Sequence, residues 1–401
     1  MHLHYEEAVG WLFRQLPVFQ NQGAVAFKPG LERIEKLCTS LGNPQSNIPV
    51  IHVGGTNGKG SLSHMLAAIL QTHGLKTGLY TSPHLVDFRE RIRINGTMIS
   101  QTEVVDFVDR FKKMPPSDPT FFELGVAMAL DHFAKQQVDV AVVEVGMGGR
   151  LDATSIVKPI LTVVTNIGLD HTQYLGETRA LIAAEKAAIA RYDVPMILGE
   201  PDEEVLPVFE KICREVNAPL FLPHYTPDWK VSLGGQYQTK NLRTLGEVLR
   251  HLPWQIPMDV IENALGDVQG LTGLRGRWEV LGNKPLIIAD TAHNAEGVRE
   301  VMHQLNDIPA KTLRIVWGMV NDKPVVPIAK LLPENATYYL CAPDVPRGRP
   351  AEVLFSEWPH PNKTVHSSVE QAYRAALKDA SPDDVVYVGG STFVVGELLR
   401  G

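Results

Sequence analysis

Apolar positions along the chain follow two rhythms. The runs at 50–55 ("VIHVGG"), 138–146 ("VDVAVVEVG") and 159–168 ("PILTVVTNIG") are apolar at nearly every position. Such continuity marks parallel strands covered on both faces, since a strand with one wet face alternates. Between the first two runs the spacing becomes helical: Leu62, Met65, Leu66, Ile69 and Leu70 form a stripe, and Gly74 ends it. "KTGLYTS" and "VPMILGE" read as further strands, and "FFELGVAMALDHFAKQQ" and "TRALIAAEKAAIAR" as helices. Strands alternating with helices predict an α/β fold with a parallel-rich sheet.

From 201 to 282 the rhythm weakens. A stretch rich in Pro, Tyr and Trp leads into two helical patterns, "TKNLRTLGEVLRHL" and "PMDVIENALGDV". "GLTGLRGRWEVLGN" then reads as a glycine-rich, basic connector. Beyond it "PLIIAD", "TLRIVWG", "ATYYLCAP" and "DDVVYVGG" restart the alternation. The sequence thus predicts two α/β domains, 1–278 and 279–401.

Composition narrows the function. The 401 residues are 44% hydrophobic and 21% charged, ordinary for globular domains. A formal net charge of -7 argues against a broad nucleic-acid or membrane-binding surface, but allows a small cationic pocket. Cys38, Cys213 and Cys341 show no paired spacing, as expected of reduced thiols in a cytoplasmic protein. The N-terminal residues lack a signal-peptide pattern, and no run of about 18 apolar residues occurs.

Candidate chemistry lies where strands end, the usual place for functional loops in such sheets. "GGTNGKGS" joins a strand to a helix and resembles a phosphate loop. Its lysine, Lys59, is followed by Gly60, so the hydroxyl of Ser61 comes one position late. Gly58 and its neighbours would let backbone N–H groups approach phosphate oxygens, at a helix N-terminus that favours anions. The competing reading is a plain βα turn. Glu144 ends a buried strand and suits a divalent cation; Arg150 and Asp152 follow it and could equally be a structural ion pair. His171 follows another strand and could ligate metal, although a lone histidine is more often structural. Lys186 reads, on composition alone, as a solvated helix residue beside Glu185. Asp290 and His293 of "DTAHN" could serve a ribose and a phosphate, or merely precede a helix capped by Asn294. Arg275 and Arg277 could neutralise phosphate or lie idle on a surface loop.

With these motifs in place, the sequence resembles the folylpolyglutamate synthase/dihydrofolate synthase family, relatives of the Mur ligases. "PGLERIEKL", "HVGGTNGKGS", "GLYTSPHLVDFRERIRING", "EVGMGGRLDAT", "LDHTQYLG", "EKAAI", "LRGRWEV", "DTAHN" and "GMVNDK" carry the resemblance in order along the whole chain. It implies an N-terminal P-loop ATPase domain and a C-terminal Rossmann-like domain that handles glutamate. It also implies an ATP-dependent amide ligase that joins L-glutamate to a reduced folate, and to dihydropteroate, through an acyl phosphate.

Carried over by position, the resemblance assigns Gly58, Lys59, Gly60 and Ser61 to the triphosphate and Asn241, Arg277 and Asp290 to the nucleotide. Ser82, Glu144 and His171 become magnesium ligands, with two ions expected, and Lys186 the counterpart of a carbamylated lysine. Thr120, Phe121, Phe122 and Glu123, with Leu151, Asp152 and Ala153, become pterin contacts. His293 falls near the transferred phosphate, and Ser391 is a candidate for incoming glutamate. The expected partners are these small molecules alone, with the protein a monomer. The sequence departs from the family at Lys28-Pro29, where some bifunctional members carry Asp-Leu, and at Arg275 and Ala295, where proline is usual. The first departure leaves dihydropteroate use less firmly implied than folate use. Two other readings remain: a Mur-like ligase acting on a different carboxylate, and a non-catalytic nucleotide-binding module.

Overall fold

The computed structural model describes residues 4–16 and 30–401; the Lys28-Pro29 pair lies outside them. The described chain forms two units. One comprises 4–16, 30–232 and 238–274; the other comprises Leu233–Tyr237 and Arg275–Gly401.

The first unit is built on a sheet whose eight strands are β1 Val50–Gly54, β2 Thr77–Tyr80, β3 Ile92–Ile94, β4 Thr97–Met98, β5 Val140–Glu144, β6 Pro159–Val164, β7 Met196–Leu198 and β8 Leu220–Phe221. Their order is β4-β3-β2-β5-β1-β6-β7-β8, parallel from β2 to β8, with β3 and β4 added as an antiparallel edge. β1, β5, β2 and β7 are buried at every position, which explains their unbroken apolar pattern. One core cluster packs Val50, Tyr80, Ala141 and Val143 under the helix Phe121–Lys135. Another packs Val164, Met196 and Leu198 under Arg179–Ala187 and Leu206–Glu215.

The second unit has six strands: β9 Glu279–Asn283, β10 Leu286–Ala289, β11 Leu313–Trp317, β12 Thr337–Leu340, β13 Lys363–Val365 and β14 Val385–Gly389. They run in the order β13-β12-β11-β14-β10-β9, and only β9 is antiparallel to its neighbour. Alternate residues feed two cores: Ile288, Ile315, Trp317, Tyr338 and Tyr387 on one face, Ile287, Val316, Tyr339, Val386 and Val388 on the other.

One local expectation needs correction. "EVLGN" is not connector but β9, paired to β10 across a tight turn. Its residues are half-exposed on an edge, so they lack the apolar run that reveals a buried strand. The β3–β4 hairpin was likewise hidden, by its short length and charged arginines. The three cysteines are buried free thiols, and among the described residues no helix is long and apolar enough to cross a membrane.

Candidate active site

The loop after β1 is shaped for close backbone approach. Gly55 has φ +139, and a Cβ there would meet Thr165 Oγ1 at 1.9 Å. Gly58 has φ +79, and a Cβ there would meet Asn241 Oδ1 at 2.3 Å. Gly58 is the N-cap of the helix Lys59–Thr72, with no side chain capping its first turn. The first-turn N–H groups of Lys59, Gly60 and Ser61 therefore have no intrahelical acceptor, the arrangement that takes phosphate oxygens. The end of β6 clamps the loop: Thr165 Oγ1 donates to Asn57 O at 2.5 Å, and Asn57 N–H donates to Asn166 Oδ1 at 2.9 Å.

Ser61 is buried in the first helical turn, where Gln238 Nε2 donates to its hydroxyl at 3.3 Å. Asn241 Nδ2 in turn donates to Gln238 Oε1 at 2.7 Å. Asn241 is thus held against Gly58 and is linked to Ser61 through Gln238. Gln238 was missed by sequence reading; its only signal was its place three residues, one helical turn, before Asn241.

Lys59 and Lys186 meet on one carbonyl. Lys59 Nζ donates to Gly55 O at 3.1 Å and Thr56 O at 3.0 Å, while Lys186 Nζ donates to Gly55 O at 2.8 Å. The reading of Lys186 as a solvated residue is corrected: it is 5% exposed. Burial, aided by the neighbouring Lys59 charge, pulls its amine down to about 7, against the opposing pull of Asp170 and Asp152. Its neighbour Glu185 pairs with Arg150 at 2.9 Å, so the turn's ion pair is Arg150–Glu185 and not Arg150–Asp152.

Glu144 ends β5 with 4% exposure, and Ser82 N–H donates to its Oε2 at 3.0 Å. His171 adopts φ +52 and caps the short helix Thr172–Leu175. Its backbone N–H donates to Asp170 Oδ1 at 2.8 Å. Among the described residues no three His, Cys, Asp or Glu side chains form a ready cage. A hydroxyl, a carboxylate and an imidazole nevertheless fit magnesium, which keeps water and phosphate oxygens in its shell and takes few protein ligands.

The proposed pterin contacts gather elsewhere in this unit. Thr120 caps the helix Phe121–Lys135 in a capping box with Glu123, and Glu123 also pairs with Arg33 at 3.1 Å. The Phe121 ring lies 4.6 Å from Phe13 and 5.8 Å from Phe88, with the Arg91 guanidinium over it at 5.3 Å. Phe122 crowds Gly146, where a Cβ would meet its ring at 2.4 Å. Asp152 caps the turn Ala153–Ile156 and also accepts Met147 N–H at 2.8 Å. Leu151 is half-buried beside it, and Ala153 is buried.

In the second unit Asp290 is 3% exposed at the end of β10. It accepts Tyr237 O–H and Trp278 N–H on Oδ2, each at 2.7 Å, and Ala292 N–H on Oδ1 at 2.8 Å. Burial raises its pKa, opposed by the Tyr237 bond and the Arg277 charge. Arg277 donates to Thr291 Oγ1. His293 Nδ1 faces Thr291 O at 3.0 Å, and Asn294 caps the helix Ala295–Asn306, as the sequence suggested. Ser391 caps the helix Thr392–Arg400 through Val394 N–H.

Residues 53–195 match the Mur ligase middle domain, and residues 276–392 match the Mur ligase glutamate ligase domain. The dihydrofolate synthase/folylpolyglutamate synthase of Escherichia coli K12 is 32% identical, over 98% of this chain and 96% of that one. This chain belongs to the dihydrofolate synthase/folylpolyglutamate synthase family. A solved bifunctional member of that family, from Yersinia pestis, superposes with a TM-score of 0.87 at 30% identity, over 99% of this chain and 97% of that one. That enzyme is complexed with AMPPNP and a Mn ion. A probable bifunctional folylpolyglutamate synthase/dihydropteroate synthase of Haloferax volcanii is 35% identical over 98% of this chain, which spans 50% of that protein's length. The loop, Ser82, Glu144, His171 and Lys186 fall within the middle-domain match, and Arg277, Asp290, His293 and Ser391 within the glutamate ligase match.

Proposed function

We propose that the protein is an ATP-dependent ligase that adds L-glutamate to reduced folates and to dihydropteroate, releasing ADP and phosphate. The observation that carries this reading is the convergence of Lys59 and buried Lys186 on Gly55 O, at a helix N-terminus inside the Mur ligase middle-domain match. The relatives' names supply the substrate class, and the alternative of a different carboxylate has no such support.

A carboxylate resists amine attack until one oxygen becomes a good leaving group. The folate carboxylate therefore attacks the γ-phosphate of ATP, and the resulting acyl phosphate takes the α-amine of glutamate and expels phosphate. The chain's part is to position anions and offset their charge. The first-turn N–H groups of Lys59, Gly60 and Ser61 receive phosphate oxygens. Lys59, now resting on its own loop carbonyls, turns to the β- and γ-phosphates. Ser82, Glu144 and His171 would hold magnesium, which supplies charge neutralisation at the triphosphate. Asn241, Arg277 and Asp290 hold the nucleotide, His293 lies by the transferred phosphate, and Ser391 takes glutamate. Thr120 to Glu123 and Leu151 to Ala153 hold the pterin. Residues 1–278 thereby serve folate and most of the ATP contacts, and 279–401 serve glutamate and supply Asp290 and His293 to the nucleotide and its transferred phosphate.

Lys186 is the proposed site of a carbamate. An amine held near pKa 7 is largely unprotonated at physiological pH, and only the free amine attacks carbon dioxide. The N–C bond forms, the amine nitrogen gives up one proton, and a buried neutral amine becomes a carbamate anion that would be able to orient a second metal ion. The protein acts as a monomer in the cytoplasm, where ATP and folates are at hand.

The test is ADP release with glutamate plus, separately, tetrahydrofolate, dihydropteroate or a UDP-muramoyl acid. Turnover with the two pterins and none with the third is expected, and chelating the divalent metal should abolish it. Turnover with neither pterin would overturn the assignment.

A further inference from the structure

We propose that His52 is a positioning residue that fixes the 146–154 loop by holding Asp152 through the hydroxyl of Thr154. The role rests on the ligase reading only in taking that loop to face substrate.

His52 is out of place by ordinary packing rules. It lies in the middle of β1, is 0% exposed, and has Ile51 and Val53 as neighbours, both fully buried. A buried polar ring costs stability unless its groups are used. One nitrogen is used: His52 Nε2 lies 2.8 Å from Thr154 Oγ1, and Thr154 Oγ1 lies 2.5 Å from Asp152 Oδ1. Nδ1 has no hydrogen-bond partner among the described residues.

The donors in this chain of bonds can be ordered. Asp152 already accepts Thr154 N–H on Oδ1 at 3.0 Å and Met147 N–H on Oδ2 at 2.8 Å. Burial raises the Asp152 carboxyl pKa, opposed by the Thr154, Met147 and Gly146 donors around it, and in its anionic form the group can only accept. The Thr154 hydroxyl must therefore donate to it, leaving the oxygen to accept a proton-bearing nitrogen. His52 then carries its proton on Nε2 and is neutral. Burial, with the Arg191 charge nearby, pulls the imidazole down to about 3, so that form persists at physiological pH.

Asp152 joins both ends of the loop, since it binds Met147 at one end and Thr154 at the other. The same loop reaches Lys186: Arg150 N–H donates to Glu185 O at 3.0 Å, and a Cβ on Gly149 would meet Lys186 Cα at 3.2 Å. An accepted bond from His52 polarises the Thr154 hydroxyl and strengthens its donation to Asp152. β1 thus anchors the phosphate loop at its end and the Asp152 loop from its middle.

The experiment compares His52→Leu, His52→Gln, Thr154→Val and the double variant His52→Leu/Thr154→Val. Glutamine can place its amide N–H near the position of Nε2. His52→Leu and Thr154→Val should each raise the folate KM about tenfold with the ATP KM within about twofold, and the double variant should be no worse than either single one. His52→Gln should restore most of the loss. Equal rises in both KM values, no rise, additive losses, or a glutamine variant as poor as leucine would each overturn the proposal. Nitrogen-15 NMR of the wild-type histidines tests the bond order without substrate. A neutral ring protonated at Nε2 from pH 5 to 8 supports it; a proton on Nδ1, or titration in that range, overturns it. Wild-type protein inactive on every pterin would refute the ligase reading, while the NMR result would still decide the hydrogen-bond order.

Discussion

At the scale of single residues, Lys186 sets function against stability. The unfolded lysine titrates near 10.5 and the folded one near 7. Between those values the unfolded chain holds the extra proton, so stability rises with pH through that window. Below pH 7 the folded protein bears the full cost of a buried cation. In carbon-dioxide-free buffer at pH 7, Lys186→Met should raise stability by about 1–3 kcal/mol in denaturant melts and remove that pH dependence. The same variant should lose ligase turnover by about a hundredfold or more. A melt unchanged from wild type would count against the burial of a charged amine there. Nothing in "AAEKAAI" itself announces this residue. Burial decides its pKa, and burial comes from packing against a loop 131 residues away.

At the scale of elements, the site depends on how helices begin. Gly58 is the N-cap of Lys59–Thr72 with φ +79, a conformation that strains any residue with a Cβ. Gly58→Ala would also drive Asn241 away. It should weaken ADP binding by about tenfold or more, measured by calorimetry, with the helical circular dichroism unchanged. Ser391 caps the last helix and is also the candidate glutamate contact. Ser391→Ala should cost about 1 kcal/mol of stability. It should also raise the glutamate KM while leaving the ATP KM alone; a stability loss without a KM change would reduce Ser391 to a cap. The first start was legible in the sequence, because glycine before a lysine-led helix is a local signal; the cap at Ser391 came only from the structure. The edge strand β9 was not, because half-exposed strands share their composition with loops.

At the scale of the whole molecule, each unit closes its own cores. A ligand that binds only the folded state stabilises it by mass action, by about 2.7 kcal/mol at a hundredfold excess over Kd. Magnesium ADP should therefore raise the melting temperature of the wild-type protein, and Lys59→Ala should shrink that rise. A rise unchanged in Lys59→Ala would remove this lysine from the phosphate site.

The sequence by itself determined the alternation of buried strands and helices, the glycine loop and the family. Those properties depend on periodicity and on short contiguous motifs, which need no knowledge of distant residues. Tertiary structure alone decided that Lys59 and Lys186 share a carbonyl, that Gln238 and Asn241 reach Ser61 and Gly58, and that His52 reaches Asp152 through Thr154. These partners lie up to 183 residues apart, from Gly58 to Asn241. The strand order brings β1 between β5 and β6 and so gathers their loops at the same ends of the strands, while the helix Gln238–Arg250 packs on the helix Lys59–Thr72.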